Sequence, residues 1–98
     1  MKVTKNGNEI DAKVVGKLDR STSPEFDRMM GEYLDDNVRK ITLDLSETIY
    51  VSSAGLRAIL ALEKKMNNVE GKLIIRNVPE LVFEVFSETG LSEILTIE

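Results

Sequence analysis

Hydrophobic and polar residues alternate in two short stretches at the start of the chain. Residues 1–5 and Glu9–Val15 have the two-residue period of β-strands. Between them, Asn6–Asn8 contains the Asn-Gly pair that is preferred in the type I′ turn of a β-hairpin. We therefore predict an N-terminal hairpin. Its buried face is predicted to carry Ile10, Ala12 and Val14.

Three later segments have apolar residues at helical spacing. The first is predicted to begin at Ser23, an N-cap residue followed by proline, and to run to about Asp36. The second is predicted over Ser53–Asn67, and the third from Pro79 to about Gly90, a preferred residue after a helix end. The second helix is predicted to bury Gly55, Ile59, Leu62, Met66 and Val69, with Leu56 and Leu60 beside them. Its opposite face is predicted to carry Arg57, Ala61, Lys64 and Asn68.

Strands are predicted between these helices, from about Arg39 to Leu45, over Lys72–Ile75, and over Ile94–Ile97. Strands that alternate with helices favour parallel pairing through right-handed crossovers. We therefore predict an α/β fold: one domain of residues 1–98, with a four- to five-stranded mixed sheet and helices mainly on one face.

The amino-acid composition excludes several classes of function. The chain has no cysteine and no histidine, which excludes thiolate chemistry, disulfides and serine–histidine catalysis. Its net charge of −4 argues against nucleic-acid binding. Residues 1–6 lack the apolar stretch of a signal peptide, and Ala58–Leu62 is too short to cross a bilayer. We expect a cytoplasmic protein without metal or cofactor. The remaining charges include a solvated acidic face made of Glu80, Glu84, Glu88 and Glu93.

The segment Ser52–Gly55 stands out because two serines lie where a strand, after a short loop, passes into a helix. A helix N-terminus presents unpaired N–H groups and partial positive charge, which suit an anion such as a phosphoryl group. Serine is also a preferred N-cap residue, so simple capping explains the same pattern. Spacing alone favours capping. The nearby acids Asp19 and Asp44 read as a turn residue and an outward-facing strand residue, and they form no carboxylate pair for hydrolysis.

The segments Asp44–Ser46 and Val51–Leu56 together resemble the signature of the STAS domain family, and most closely its stand-alone bacterial anti-sigma factor antagonists. Gly16–Asp19, Asn77–Pro79 and Thr89–Leu91 are similar to other family positions, so the resemblance covers essentially the whole chain. It implies that Ser53, or alternatively Ser52, is a phosphorylation site. It also implies a surrounding partner surface of Asp19, Asp44, Ser52, Ala54 and Gly55, which we extend to Arg57, Ala61 and Lys64. Many switching members have aspartate at the position of Ser52.

The resemblance also implies a partner-switching cycle. The unphosphorylated antagonist binds an anti-sigma factor, which is also a GHKL-type serine kinase, and so frees a sigma factor for transcription. Phosphorylation ends the complex, and a metal-dependent serine phosphatase restores it. We expect a protein that is not an enzyme and is monomeric when free. Two other hypotheses remain at this point: a non-phosphorylated scaffold subunit of a sensory or transport complex, and a nucleotide-sensing module.

Overall fold

The computed structural model describes residues 1–98, which form a single five-stranded sheet with three α-helices. The strands lie in the order in which they occur along the chain. They are β1 (Lys2–Asn6), β2 (Glu9–Leu18), β3 (Lys40–Val51), β4 (Lys72–Arg76) and β5 (Thr96–Ile97). The helices are α1 (Ser23–Tyr33), α2 (Ser53–Asn68) and α3 (Glu80–Glu88), followed by a 3₁₀ turn at Leu91–Glu93.

The sheet is mixed, as the sequence predicts. β1 pairs antiparallel with β2, and the remaining neighbours pair in parallel. Each parallel connection contains one helix, as a crossover requires. The alternation in β2 and β3 sets the two faces of the sheet. The helix-covered face buries Ile10, Ala12, Val14, Ile41, Leu43 and Leu45.

The opposite face of the sheet carries no helix and is polar. A shallow depression of about 360 Å³ on this face is lined by residues from four strands. Polar residues on this side allow the sheet to face water, which a parallel sheet covered on both faces does not do. The prediction of helices mainly on one face is therefore confirmed. The lining residues of the strands are Lys2, Thr4, Asp11, Ala12, Lys13, Thr42, Asp44 and Arg76, followed by Asn77.

The sequence predicted a loop between the third strand and the second helix, and this prediction is wrong. β3 continues to Val51 and passes through Ser52 directly into α2. Its register against β2 shifts between Lys13 and Val15 and again between Gly16 and Lys17. At each shift β3 contains one residue more than β2, the arrangement of a β-bulge. The bulges break the alternation on which the sequence prediction relied, so the strand was predicted too short.

Other boundaries also differ from prediction, and β2 ends at Leu18 rather than at Val15. α1 begins after Thr22 rather than after Ser23, and it ends at Tyr33. The last strand is only Thr96–Ile97, because Ile94 and Leu95 donate their N–H groups to the Leu91 carbonyl in a turn that follows the 3₁₀ segment. Val69, predicted on the buried face of α2, follows the end of the helix and is exposed. No helix is both long enough and apolar enough to span a membrane.

Candidate functional site

The two adjacent serines at the start of α2 have different environments. Ser52 has the extended conformation of an N-cap residue, with φ −89° and ψ 178°, and its hydroxyl accepts the Gly55 N–H at 3.3 Å. It is half-buried, whereas Ser53, the first residue of the helix, is exposed. Capping therefore accounts for Ser52 and leaves the hydroxyl of Ser53 at the surface. The sequence alone could not separate the two.

The end of β2 holds this junction in place. The carbonyl oxygen of Leu18 accepts the backbone N–H of Ser52 at 2.9 Å. The same oxygen lies only 2.3 Å from where a Cβ on Gly55 would stand. A side chain at position 55 would collide with the backbone of β2, so glycine is what allows the first turn of α2 to approach the sheet this closely.

Asp19 follows Leu18 and forms the turn into α1. Its Oδ1 accepts the backbone N–H groups of Ser21 at 2.9 Å and Thr22 at 3.1 Å. In return, Thr22 Oγ1 accepts the Asp19 N–H at 2.9 Å, an exchange of the capping-box type. The hydroxyl of Ser21, with these N–H groups, holds the pKa of Asp19 below its ordinary value. Asp19 is thus a fixed negative charge, one residue away from the contact between β2 and Ser52.

This turn also explains why Ser23 is not the N-cap. The cap position is occupied by Thr22, whose hydroxyl donates to the carbonyl of Lys17 at 2.9 Å instead of capping the helix. The first free N–H groups before α1 are satisfied by Asp19, which lies earlier in the chain. A turn of this kind just before a helix is difficult to distinguish from a local serine cap by pattern alone.

The expectation that Asp44 lies near Ser52 and Ser53 is wrong. It pairs with Lys13, whereas Val51, next to Ser52, pairs with Leu18. Lys13 and Leu18 lie five residue steps apart in β2, which corresponds to about 17 Å along the strand. The Asp44 carboxylate accepts the N–H of Ser46 at 2.8 Å, and this bond is the main cause of its lowered pKa. Asp44 therefore belongs to the open polar face of the sheet.

The outer face of α2 is where the sequence predicted it. Arg57, Ala61 and Lys64 are all exposed, and neither cation takes part in a salt bridge. Ala54 is half-buried next to Ser53. The structure thus places an exposed serine hydroxyl at one end of a helix face whose charges are positive.

The sequence did not lead us to predict one buried carboxyl group on α2, that of Glu63. Glu63 is only 9% exposed, and its Oε2 atom has no hydrogen-bond partner. Burial raises its pKa. A usable signal was its spacing, because Glu63 lies four residues after Ile59 and three before Met66, both of which are buried on the core face of the helix.

The chain presents no group of three or more acidic side chains placed to hold a metal ion. The arrangement at the start of α2 instead offers one accessible hydroxyl at a helix N-terminus, a site where covalent addition of a phosphoryl group would change the local charge by about −1.5 to −2. That chemistry requires an exposed acceptor, and Ser53 provides it.

The family model of the STAS domain matches residues 1–98. The anti-sigma-B factor antagonist of Listeria monocytogenes is 28% identical over 91 residues, which cover 93% of this chain and 80% of that protein. An anti-sigma factor antagonist from Mycobacterium paratuberculosis has a similar structure, with a TM-score of 0.84 at 21% identity over 98% of this chain and 81% of the other.

The anti-sigma factor antagonist SpoIIAA also shares the fold. Its unphosphorylated form gives a TM-score of 0.85 at 17% identity, covering 99% of this chain and 86% of that one. The phosphorylated form of this Bacillus protein gives 0.77 at 16% identity, covering 99% and 89%. At these identities the structures establish a common fold.

Proposed function

This chain belongs to the STAS domain family, and from that membership we propose that it is an anti-sigma factor antagonist, a regulatory protein rather than an enzyme. The curated relatives that it resembles over most of its length have this function. The observation that carries the proposal is the exposure of Ser53 at the first position of α2, beside the capping serine of the family signature.

The proposed partner is an anti-sigma factor that binds around Ser53 and the outer face of α2. In the finer form of the proposal this partner is also a GHKL-type serine kinase that phosphorylates Ser53, and a metal-dependent phosphatase reverses the reaction. Regulation of a sigma factor takes place where transcription occurs, so we place the protein in the cytoplasm.

Electrostatics explains how one phosphoryl group could end the complex. The group adds a charge of about −1.5 to −2 at a contact surface. It would stand near the fixed charge of Asp19 and would repel an acidic partner residue that faces the cations of α2. The helix dipole offsets only about 0.3–2 kcal/mol. A tenfold loss of affinity needs only about 1.4 kcal/mol, so no change of fold is required.

The proposal is tested by measuring the affinity of the anti-sigma factor for three variants. Ser53→Asp is expected to lower the affinity at least tenfold, because it places a permanent negative charge at the surface, whereas Ser53→Ala is expected to bind like the unaltered protein. Asn37→Asp is the matched control, since it adds the same charge at an exposed position before the start of β3, whereas Ser53 follows the end of that strand. Equal binding by Ser53→Asp and Ser53→Ala would contradict the proposal.

Phosphorylation itself is tested by mass spectrometry of the protein purified from its host. Phosphate is expected on Ser53 and not on Ser52, whose hydroxyl is engaged in the cap. Absence of phosphate on both serines under all growth conditions would favour a scaffold role instead.

A further inference from the structure

A groove lies between the second half of β3 and the start of α3. Its volume is about 440 Å³. We call it the β3–α3 groove. It is lined by Ser46, Thr48, Ile49, Pro79, Glu80, Leu81 and Val82.

Two large apolar side chains of this groove face solvent. Ile49 is 68% exposed and Leu81 is 71% exposed. Ile49 is the additional residue of the second bulge, lying between the paired residues Thr48 and Tyr50, so the regular ladder gives it no place in the core. Both side chains line one groove, and an exposed apolar cluster of this kind on a small protein typically marks a contact site.

The α3 side of the groove carries uncompensated negative charge. No lysine or arginine follows Arg76 in the sequence, and Arg76 is itself paired with Glu98. The four glutamates of the acidic face, predicted from the sequence to be merely solvated, take part in no salt bridge. They are Glu80, Glu84, Glu88 and Glu93.

The neighbouring surface has the opposite sign. The outer face of α2 carries the unpaired cations Arg57 and Lys64, and Ser53 lies at the start of that helix. β3 leads from the groove directly into α2, since Ile49 lies three residues before Ser52. The groove and the serine site are therefore near each other, and they differ in charge. Opposite patches of this kind select the orientation in which a partner docks.

We propose that the β3–α3 groove is a second contact site for the same protein partner, and that it receives an apolar side chain carried on a lysine- or arginine-rich segment of that partner. This inference rests on the proposed function, because it assumes that the anti-sigma factor docks around Ser53. The apolar side chain would cover Ile49 and Leu81, and the basic flanks would face Glu80 and Glu84. An acidic part of the partner would then lie over α2, where phosphorylation of Ser53 repels it.

The test measures binding of the purified anti-sigma factor to unphosphorylated full-length variants. Ile49→Ser and Leu81→Ser are each expected to lower the affinity at least tenfold, mainly through faster dissociation. The double variant Glu80→Lys with Glu84→Lys is expected to slow association and to weaken its dependence on salt. The altered side chains are exposed, so unchanged thermal midpoints confirm that the variants fold.

Two matched controls lie outside the groove. Val69→Ser removes another exposed apolar side chain, and Asp27→Lys reverses an exposed acid of α1 that forms no salt bridge. Both are expected to bind within twofold of the unaltered protein.

The outcomes separate this inference from the function on which it rests. If Ser53→Asp abolishes binding but the groove variants bind within twofold, the groove is not a contact site and the proposed function stands. If the unaltered protein does not bind an anti-sigma factor, both fail. If Leu81→Ser instead abolishes self-association seen in sedimentation, the occupant is a second copy of this chain and the inference is wrong.

Discussion

Single side chains and single hydrogen bonds determine what the junction between β3 and α2 can do. Ser52 and Ser53 are chemically identical neighbours. The hydroxyl of Ser52 accepts the Gly55 N–H, whereas Ser53 is exposed at the surface. Gly55 matters for a different reason, since the Leu18 carbonyl occupies the space in which its Cβ would stand. The accessible hydroxyl is thus presented by a helix turn that packs directly against the end of β2.

We predict that Gly55→Ala destabilises the protein by about 1–3 kcal/mol, because the new methyl group must displace the backbone of β2. The urea midpoint of unfolding measures this effect. Gly31→Ala is the matched control: it lies within α1 with open space around its Cβ position, and alanine there is expected to stabilise by about 0.5–1 kcal/mol. A Gly55→Ala variant as stable as the unaltered protein would contradict the close approach of α2.

At the scale of the elements, each helix is started by a different device. α2 has its own serine as the cap, whereas α1 has no side-chain cap and follows a turn held by Asp19, three residues before the cap position. α3 follows Pro79 without any side-chain cap bond. These differences show that a cap residue in the sequence indicates a helix start but does not define which residue satisfies the free N–H groups.

We predict that Ser52→Ala lowers the free energy of unfolding by about 1 kcal/mol, the usual contribution of a serine cap. Ser53→Ala, at the next position, is expected to change it by less than about 0.5 kcal/mol, because an exposed residue at the first helical position makes no cap bond. Chemical denaturation of the two variants side by side checks the difference. A larger loss for Ser53→Ala would reverse the assignment of the cap.

At the scale of the whole molecule, charges are distributed unevenly over a small α/β domain. The open face of the sheet carries mixed charges, α2 presents cations, and the C-terminal third presents acids. Three aspartates have lowered pKa values, and for Asp35 the main cause is the Lys5 ammonium group. Glu63 has a raised pKa because of burial. The contributions of these carboxyl groups to the stability of the fold therefore change with pH in opposite directions.

We predict that stability falls as the pH drops through the acid range below about 4, because Asp19, Asp35 and Asp44 favour the ionised form when folded and must then be protonated. Glu63 acts in the opposite direction: its contribution is fully present below the pKa of the unfolded chain and is lost as the pH rises through its raised folded value. Glu63→Gln is therefore expected to raise the thermal midpoint at pH 7, with a smaller difference at pH 4.

Thermal unfolding of both proteins at several pH values measures these effects. The exposed Glu84→Gln is the matched control, because it makes the same substitution at a glutamate that is not buried. An equal shift for Glu63→Gln at pH 4 and pH 7 would show that the buried carboxyl is not the source of the effect.

The fold was predictable from the sequence because its signals are local. The two-residue period around Ile10 and Ile41 and the helical spacing in α2 depend only on which residues neighbour each other along the chain, and they gave the order and type of the elements correctly. The site was predictable as a segment for the same reason, since Ser52–Gly55 joins a strand to a helix in a pattern that the family shares.

What only the tertiary structure decided depends on contacts between residues far apart in the chain. The Leu18 carbonyl meets Ser52 and Gly55, and that packing makes Ser53 rather than Ser52 the accessible serine. The bulges of β3 arise from its register with β2, and no pattern within β3 defines that register. The same register places Asp44 far from the serines and leaves Ile49 exposed at the groove that Leu81 also lines. Backbone pairing between strands fixes such positions, which spacing along one strand leaves open.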